Sequence, residues 1–203
     1  VRFDMMLHFG YFVTESSGHF SEYLPYYRKR KELIDKYCRE GYRGGSGFYA
    51  NMWPGQRNST DENRRRILAG EVEFEPKRTH EYCSSIIQGI ETNDAFIFHG
   101  TVPNTGLIDN LPLDGVVEVA CVADRKGVTP TCFGPLPSQC AAVCDWNMRM
   151  YDLAAEACIE KSREKAAQAL MLDPLTAAVC CPAEIKQMTD ELFEAEADLL
   201  PGF

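Results

Sequence analysis

The chain has 203 residues, 45% of them hydrophobic and 25% charged, with a formal net charge of −9. That is globular material in one domain spanning 1–203, and it excludes a disordered polymer or a membrane-spanning protein, since no apolar run approaches the roughly 20 residues a span needs. The acidic balance excludes nucleic acid and anionic membrane as general partners. Residues 1–9 are expected to end a helix with Phe3, Met6 and Leu7 on one side, and Gly10 to close it from the C′ position. The chain opens on Val1 without a basic leader, so a fragment of a longer gene is the expected origin.

Between Tyr11 and Lys29 the sequence runs YFVTESSGHFSEYLPYYRK. An apolar run gives way to Thr14-Glu15-Ser16-Ser17-Gly18, a turn of cap-type residues. A helix is predicted from about Ser21 to Glu40, with Pro25 tolerated near its start and Gly41 at its end. At 3.6 residues per turn His19, Glu22, Tyr23 and Tyr26 share a face, a concentration of proton-handling groups. The alternative is a half-buried aromatic stripe beside a solvated Glu. The basic run Arg28-Lys29-Arg30-Lys31 fits a solvated helix face that also holds Glu32 and Asp35.

Residues 41–56, rich in glycine and aromatics, are predicted to form a loop; Gly44-Gly45-Ser46-Gly47 lacks the spacing of a phosphate-binding turn. Ser59-Thr60-Asp61-Glu62 should cap a short helix that runs to Leu68 and ends at Gly70. A helix over Pro76–Thr92 would bury Tyr82, Ile86, Ile87 and Ile90, and a strand follows at 95–102. Residues 103–115 are too turn-rich for a regular element. Strands at 116–123 and 128–134 form a hairpin about Asp124-Arg125-Lys126-Gly127, with Pro130 marking an edge. Helices follow at 138–160, 162–172 and 174–179. A last one opens at Pro182, with Ile185, Met188, Leu192 and Leu199 on one stripe. The sum is an α+β fold, helix-rich, with a small mostly antiparallel sheet.

Nine cysteines without framework spacing predict reduced, mostly buried thiols of a cytoplasmic protein, and no paired Cys/His ligands suggest zinc. His99 is expected as a core histidine, His80 belongs to an Arg78–Glu81 helix turn, and His8 has no evident partner.

The Tyr11–Lys29 stretch resembles the ESS-x-H-x-x-EY-x-P segment of glycoside hydrolase family 4, in its α-galactosidase and α-glucuronidase branch. RTHEYCSSIIQGIETN (78–93), VPNTGLIDNLPLDGVVEVAC (102–121), FGPLPSQCAA (133–142) and LDPLTAAV (172–179) follow the same family in the same order. The resemblance implies the C-terminal portion of such an enzyme, with a fold like the C-terminal domain of lactate/malate dehydrogenases. It implies NAD and a divalent metal, Mn by expectation, whose ligands lie outside this chain in a missing N-terminal Rossmann half. It also implies an α-glycoside substrate and a homo-oligomeric intact enzyme. The family is NAD-dependent and stands apart from two-carboxylate hydrolysis. Its chemistry is C3 oxidation, C2 deprotonation and elimination, then water addition and reduction. In the phosphoglycoside branch the base is a Tyr in a YL-x-YY setting, and Tyr23-Leu24-Pro25-Tyr26-Tyr27 has that pattern. The resemblance therefore makes Tyr23 the candidate base and His19 a substrate-binding neighbour. Asn104, in a PN-x-G turn, is a candidate for the pocket wall, or else a structural turn residue. A phenol ionises near pH 10 and needs a cation to act near neutrality. The alternative function is a non-catalytic remnant serving assembly or sugar binding.

Overall fold

The computed structural model describes residues 1–38, 48–72 and 79–203. Its elements in chain order are α1 (Arg2–Phe9), α2 (Ser17–Glu22), α3 (Lys31–Tyr37), α4 (Phe48–Leu68), α5 (Cys83–Thr92), β1 (Phe96–Pro103), β2 (Val116–Asp124), β3 (Gly127–Pro130), α6 (Ser138–Glu160), α7 (Arg163–Leu172), α8 (Pro174–Val179) and α9 (Pro182–Ala195). They divide into two compact units, residues 1–51 with 138–203, and residues 52–137.

In the first unit α1 ends as its sequence dictates: Gly10 adopts φ 84° and returns its N–H to the Met6 carbonyl. The helix expected over 21–40 is divided instead. Helix formation starts early, at Ser17, because the Ser16 hydroxyl caps the His19 N–H at 3.2 Å. It stops at Glu22, with Tyr23 as the C-terminal cap. Pro25 is the cause, since it has no N–H to continue the ladder and crowds Leu24 out of the helical region. The chain resumes as α3 only at Lys31. Leu24, with no exposed surface, anchors the irregular segment in a core with Met5, Phe20, Tyr27 and Cys38, and Val143 of α6 packs on it.

The tail of this unit is helical as predicted. Ser162 caps α7, Asp173 caps α8 ahead of Pro174, and the Glu184 carboxylate accepts the Cys181 N–H at the start of α9. Helix α7 packs against α6, α8 and α9. The buried stripe of α9 is Ile185, Thr189 and Phe193, not the predicted line through Leu192 and Leu199, which are exposed.

The loop expected at 41–56 is corrected in part. Residues 41–47 lie outside the described residues, but from Phe48 the chain is helical, through Pro54, as far as Leu68. The Ser59–Glu62 cap expected there falls mid-helix. One missing N–H at Pro54 did not end a 21-residue solvated helix, whose last turn Arg65 braces against Glu62 at 2.7 Å. Gly70 terminates it at φ 71°.

The second unit is built on a three-stranded antiparallel sheet, β1-β2-β3. β1 pairs with β2 from Phe96↔Ala123 to Pro103↔Val116, and β2 with β3 from Cys121↔Pro130 to Asp124↔Gly127. The central strand alternates strictly, burying Val117, Val119, Cys121 and Ala123. Pro130 closes the edge strand, where a missing donor costs no ladder bond. Helix α5 begins at Cys83 rather than Pro76; residues 76–78 lie outside the described residues. It turns Gly89 to the sheet, and the expected stripe members Tyr82 and Ile87 are exposed. All nine cysteines are free, as expected, but only Cys38 and Cys121 are buried and five are exposed.

Candidate active site

The first unit gathers its polar chemistry around the end of α2. The Ser16 cap fixes His19 in the first turn of that helix. His19 Nδ1 lies 3.3 Å from Glu15 Oε1, and Nε2 lies 2.9 Å from the Tyr49 hydroxyl. The Tyr49 ring stacks on the imidazole, centroids 5.8 Å apart and planes 17° apart. Burial raises the Glu15 carboxyl, but hydrogen bonds from Ser16 and the nearby imidazole outweigh it and hold the group below its ordinary range. Glu15 is therefore ionised at neutral pH.

Tyr23 sits one turn on, its N–H bonded to the His19 carbonyl. Its own carbonyl accepts from Asn147 Nδ2 at 3.3 Å, and the same amide donates to the Val143 carbonyl at 2.9 Å. Asn147 Oδ1 is buried and has no hydrogen-bond partner among the described residues. Tyr23 is 37% exposed. Its ionisation is pushed up, first by burial, then by Tyr151, Glu15, Glu22 and Tyr49. Tyr151 is likewise raised, by burial and by Asp173. At neutral pH the cluster thus presents a protonated, reachable phenol ringed by groups that disfavour its anion. It can hand over a proton as it stands. It can act as a base only once a cation offsets those neighbours.

Sequence reasoning singled out Tyr23 and His19; it did not single out Tyr49, Asn147 or Tyr151, which the structure brings to the same cluster. The one available signal was the i, i+4 spacing of Asn147 and Tyr151, which puts both on one face of α6. Glu22 is paired with Arg28 at 3.3 Å. Tyr26 leaves the predicted stripe because the helix has ended, and its ring packs against Phe9 and Tyr27.

Asn104 belongs to the second unit and has no exposed surface. Its amide donates to the carbonyls of Ile108, Leu111 and Pro112, and its oxygen accepts from the N–H groups of Leu107 and Ile108. Its side chain therefore organises the 103–115 turn and offers nothing to a ligand. His99 is exposed on β1, contrary to the expected core position, because the alternation of that strand turns it outward. His8 does have a neighbour, Asp4 at 4.0 Å. Arg78, and with it the Arg78–Glu81 pair, lies outside the described residues, as do Gly44–Gly47.

Among the described residues no group of three or more His, Cys, Asp or Glu side chains could hold a metal ion. No helix among the described residues is long and apolar enough to cross a membrane.

The fold is shared with solved structures of known proteins. The crystal structure of lplD from Bacillus subtilis matches 95% of this chain and 42% of its own with a TM-score of 0.76 at 22% identity. A 6-phospho-alpha-glucosidase from gut microorganisms, solved with NAD and Mn2+, matches 70% of this chain and 31% of its own at TM-score 0.57 and 23% identity. The model of the family 4 glycosyl hydrolase C-terminal domain covers residues 1–176. The chain belongs to that family. It is 42% identical to an alpha-galactosidase of Bacillus subtilis over its whole length and 46% of that protein's. It is 34% identical to the alpha-galactosidase of Rhizobium meliloti, again over its whole length and 42% of that protein's. The chain thus spans less than half the length of these relatives.

Proposed function

We propose that this chain is the substrate half of an NAD- and divalent-metal-dependent α-glycosidase of the α-galactosidase type, and that Tyr23 removes the sugar C2 proton. The kinship to two alpha-galactosidases supports the substrate class, and the NAD and Mn2+ in a structural relative support the cofactors. One observation carries the residue assignment: Tyr23 is a partly exposed tyrosine at a helix end with Tyr151, Glu15, Glu22 and Tyr49 near enough to act on its phenol. The groups that make its anion costly in this half leave room for a cation contributed by the remainder of the enzyme. His19 precedes the base by one helical turn, its carbonyl accepting the Tyr23 N–H.

The test uses the complete enzyme, this chain joined to its NAD-binding half. Tyr23→Phe keeps the ring and its packing. Turnover should fall by about 10²–10⁴-fold, the worth of a positioned general base. The variant should still reduce bound NAD yet incorporate no deuterium at C2 from heavy water. Tyr26→Phe is the control, since that ring packs against Phe9, and it should exchange normally. Wild-type exchange by Tyr23→Phe would refute the assignment.

A further inference from the structure

We propose that Tyr49 and Glu15 are positioning residues of this site, which together fix the tautomer of His19. The argument is one of donors and acceptors. An ionised carboxylate only accepts hydrogen bonds. Glu15 Oε1 faces His19 Nδ1 at 3.3 Å, so in the neutral imidazole Nδ1 carries the hydrogen. Nε2 is then a lone pair, and the Tyr49 hydroxyl 2.9 Å away donates to it. Stacking of the two rings holds that donor in place.

Two consequences follow for the reaction. Neither imidazole nitrogen has a hydrogen to offer a sugar, so His19 acts on its neighbours rather than on the substrate. A proton can arrive only at Nε2, where the bond must reverse: Nε2–H then donates to the Tyr49 oxygen. The charged or titratable groups facing His19 and Tyr23 are Glu15 and Glu22 from the α2 segment, Tyr49 from α4 and Tyr151 from α6. Glu22 is in turn paired with the Arg28 guanidinium at 3.3 Å. The catalytic meaning of the inference rests on Tyr23 as base; the tautomer does not.

The experiment is nitrogen-15 NMR of the histidine rings in the 203-residue chain at mildly alkaline pH. His19 should show a pyrrole-type Nδ1 and a pyridine-type Nε2 shifted by a hydrogen bond. The opposite tautomer would overturn the proposal without any variant. Tyr49→Phe should move the Nε2 resonance towards that of an unbonded nitrogen. Glu15→Gln should keep the tautomer, because its amide oxygen still accepts from Nδ1, whereas Glu15→Ala should release it. His19 signals unchanged in Tyr49→Phe and Glu15→Ala would also overturn it. In the complete enzyme Tyr49→Phe should lower kcat about five- to tenfold with little change in KM, the scale of one net hydrogen bond. Loss of base function in Tyr23 would show in C2 exchange and leave the ring resonances of His19 untouched.

Discussion

Asn147 holds the backbone of Tyr23 by one end of its side chain only. Its Nδ2 donates to two carbonyls, of Tyr23 and of Val143, so the amide cannot be turned over without setting oxygen against oxygen. That makes Asn147→Asp a severe change despite its small size. The carboxylate would lose both donors and bury a charge, costing about 3–5 kcal/mol at neutral pH. Burial raises the new acid's ionisation, so its penalty should shrink as pH falls and the group protonates. Urea unfolding at pH 7 and pH 5 should show the gap to wild type narrowing; a constant gap would contradict the bonding. Glu15 behaves in the opposite sense. Its folded value lies below the ordinary 4.5, so the stability it lends is full above 4.5 and is lost as pH falls through the folded value. Thermal melts should therefore drop on acidification below about 4.5, and Glu15→Gln should flatten that drop. Local pattern made Tyr23 and His19 visible in the sequence. Asn147 stands 124 positions from Tyr23, and nothing local marks a contact at that distance.

Elements were legible where punctuation and period agreed. Helix 138–160 and the 174–179 helix behind Asp173 and Pro174 form where predicted, and the hairpin turns at Gly127 as expected, but its second strand ends at Pro130 instead of 134. The sequence misled where a proline has two meanings. Pro25, expected to be tolerated near the start of a helix, breaks it; Pro54, expected in a loop, lies inside α4. Which role a proline takes depends on where the cap sits, and the Ser16 cap lies four residues earlier than the apolar period suggested. Gly89 shows the same dependence on tertiary contact. A Cβ added there would stand 2.8 Å from the Ala123 carbonyl oxygen and 3.1 Å from that of Asp94. Alanine gains about 0.5–1 kcal/mol of helix propensity, but overpacking against backbone costs about 1–3 kcal/mol. Crowding should win, so Gly89→Ala should lower the denaturation midpoint. In the neighbouring turn Asn104→Ala leaves buried carbonyls and N–H groups without partners. It should cost about 2–3 kcal/mol and speed amide exchange at Leu107 and Ile108, which lose their acceptor. Slow exchange there would remove Asn104 from its structural role.

On the scale of the whole chain, the proposed pairing with an NAD-binding half requires surface suited to being covered. The first unit exposes Phe3 at 69% and Leu7 at 77%, with Phe12 packed 5.9 Å from Phe3 and Arg2 over its ring. It also holds an apolar cavity of about 460 Å³ between α6, α7 and α9, lined by Met150, Ala154, Leu170, Leu192 and Phe193. The sheet of the second unit turns Ile97, Val116 and Val128 to solvent. Apolar surface of this kind marks interaction or association, and against it stands a net charge of −9, which keeps copies apart. Salt separates the two forces. Raising ionic strength from 0.01 M to 1 M shortens the Debye length from about 30 Å to about 3 Å, which removes repulsion and leaves apolar contact intact. The 203-residue chain should therefore sediment closer to monomer at low salt and associate progressively at high salt, while binding an apolar dye at both. Leu7→Glu and Phe12→Glu together should abolish the salt-driven association without loss of helix signal. Association that weakens with salt would mean charge pairing drives it. A clean monomer at 1 M salt with no dye bound would mean that the exposed apolar residues are too scattered to form a docking face.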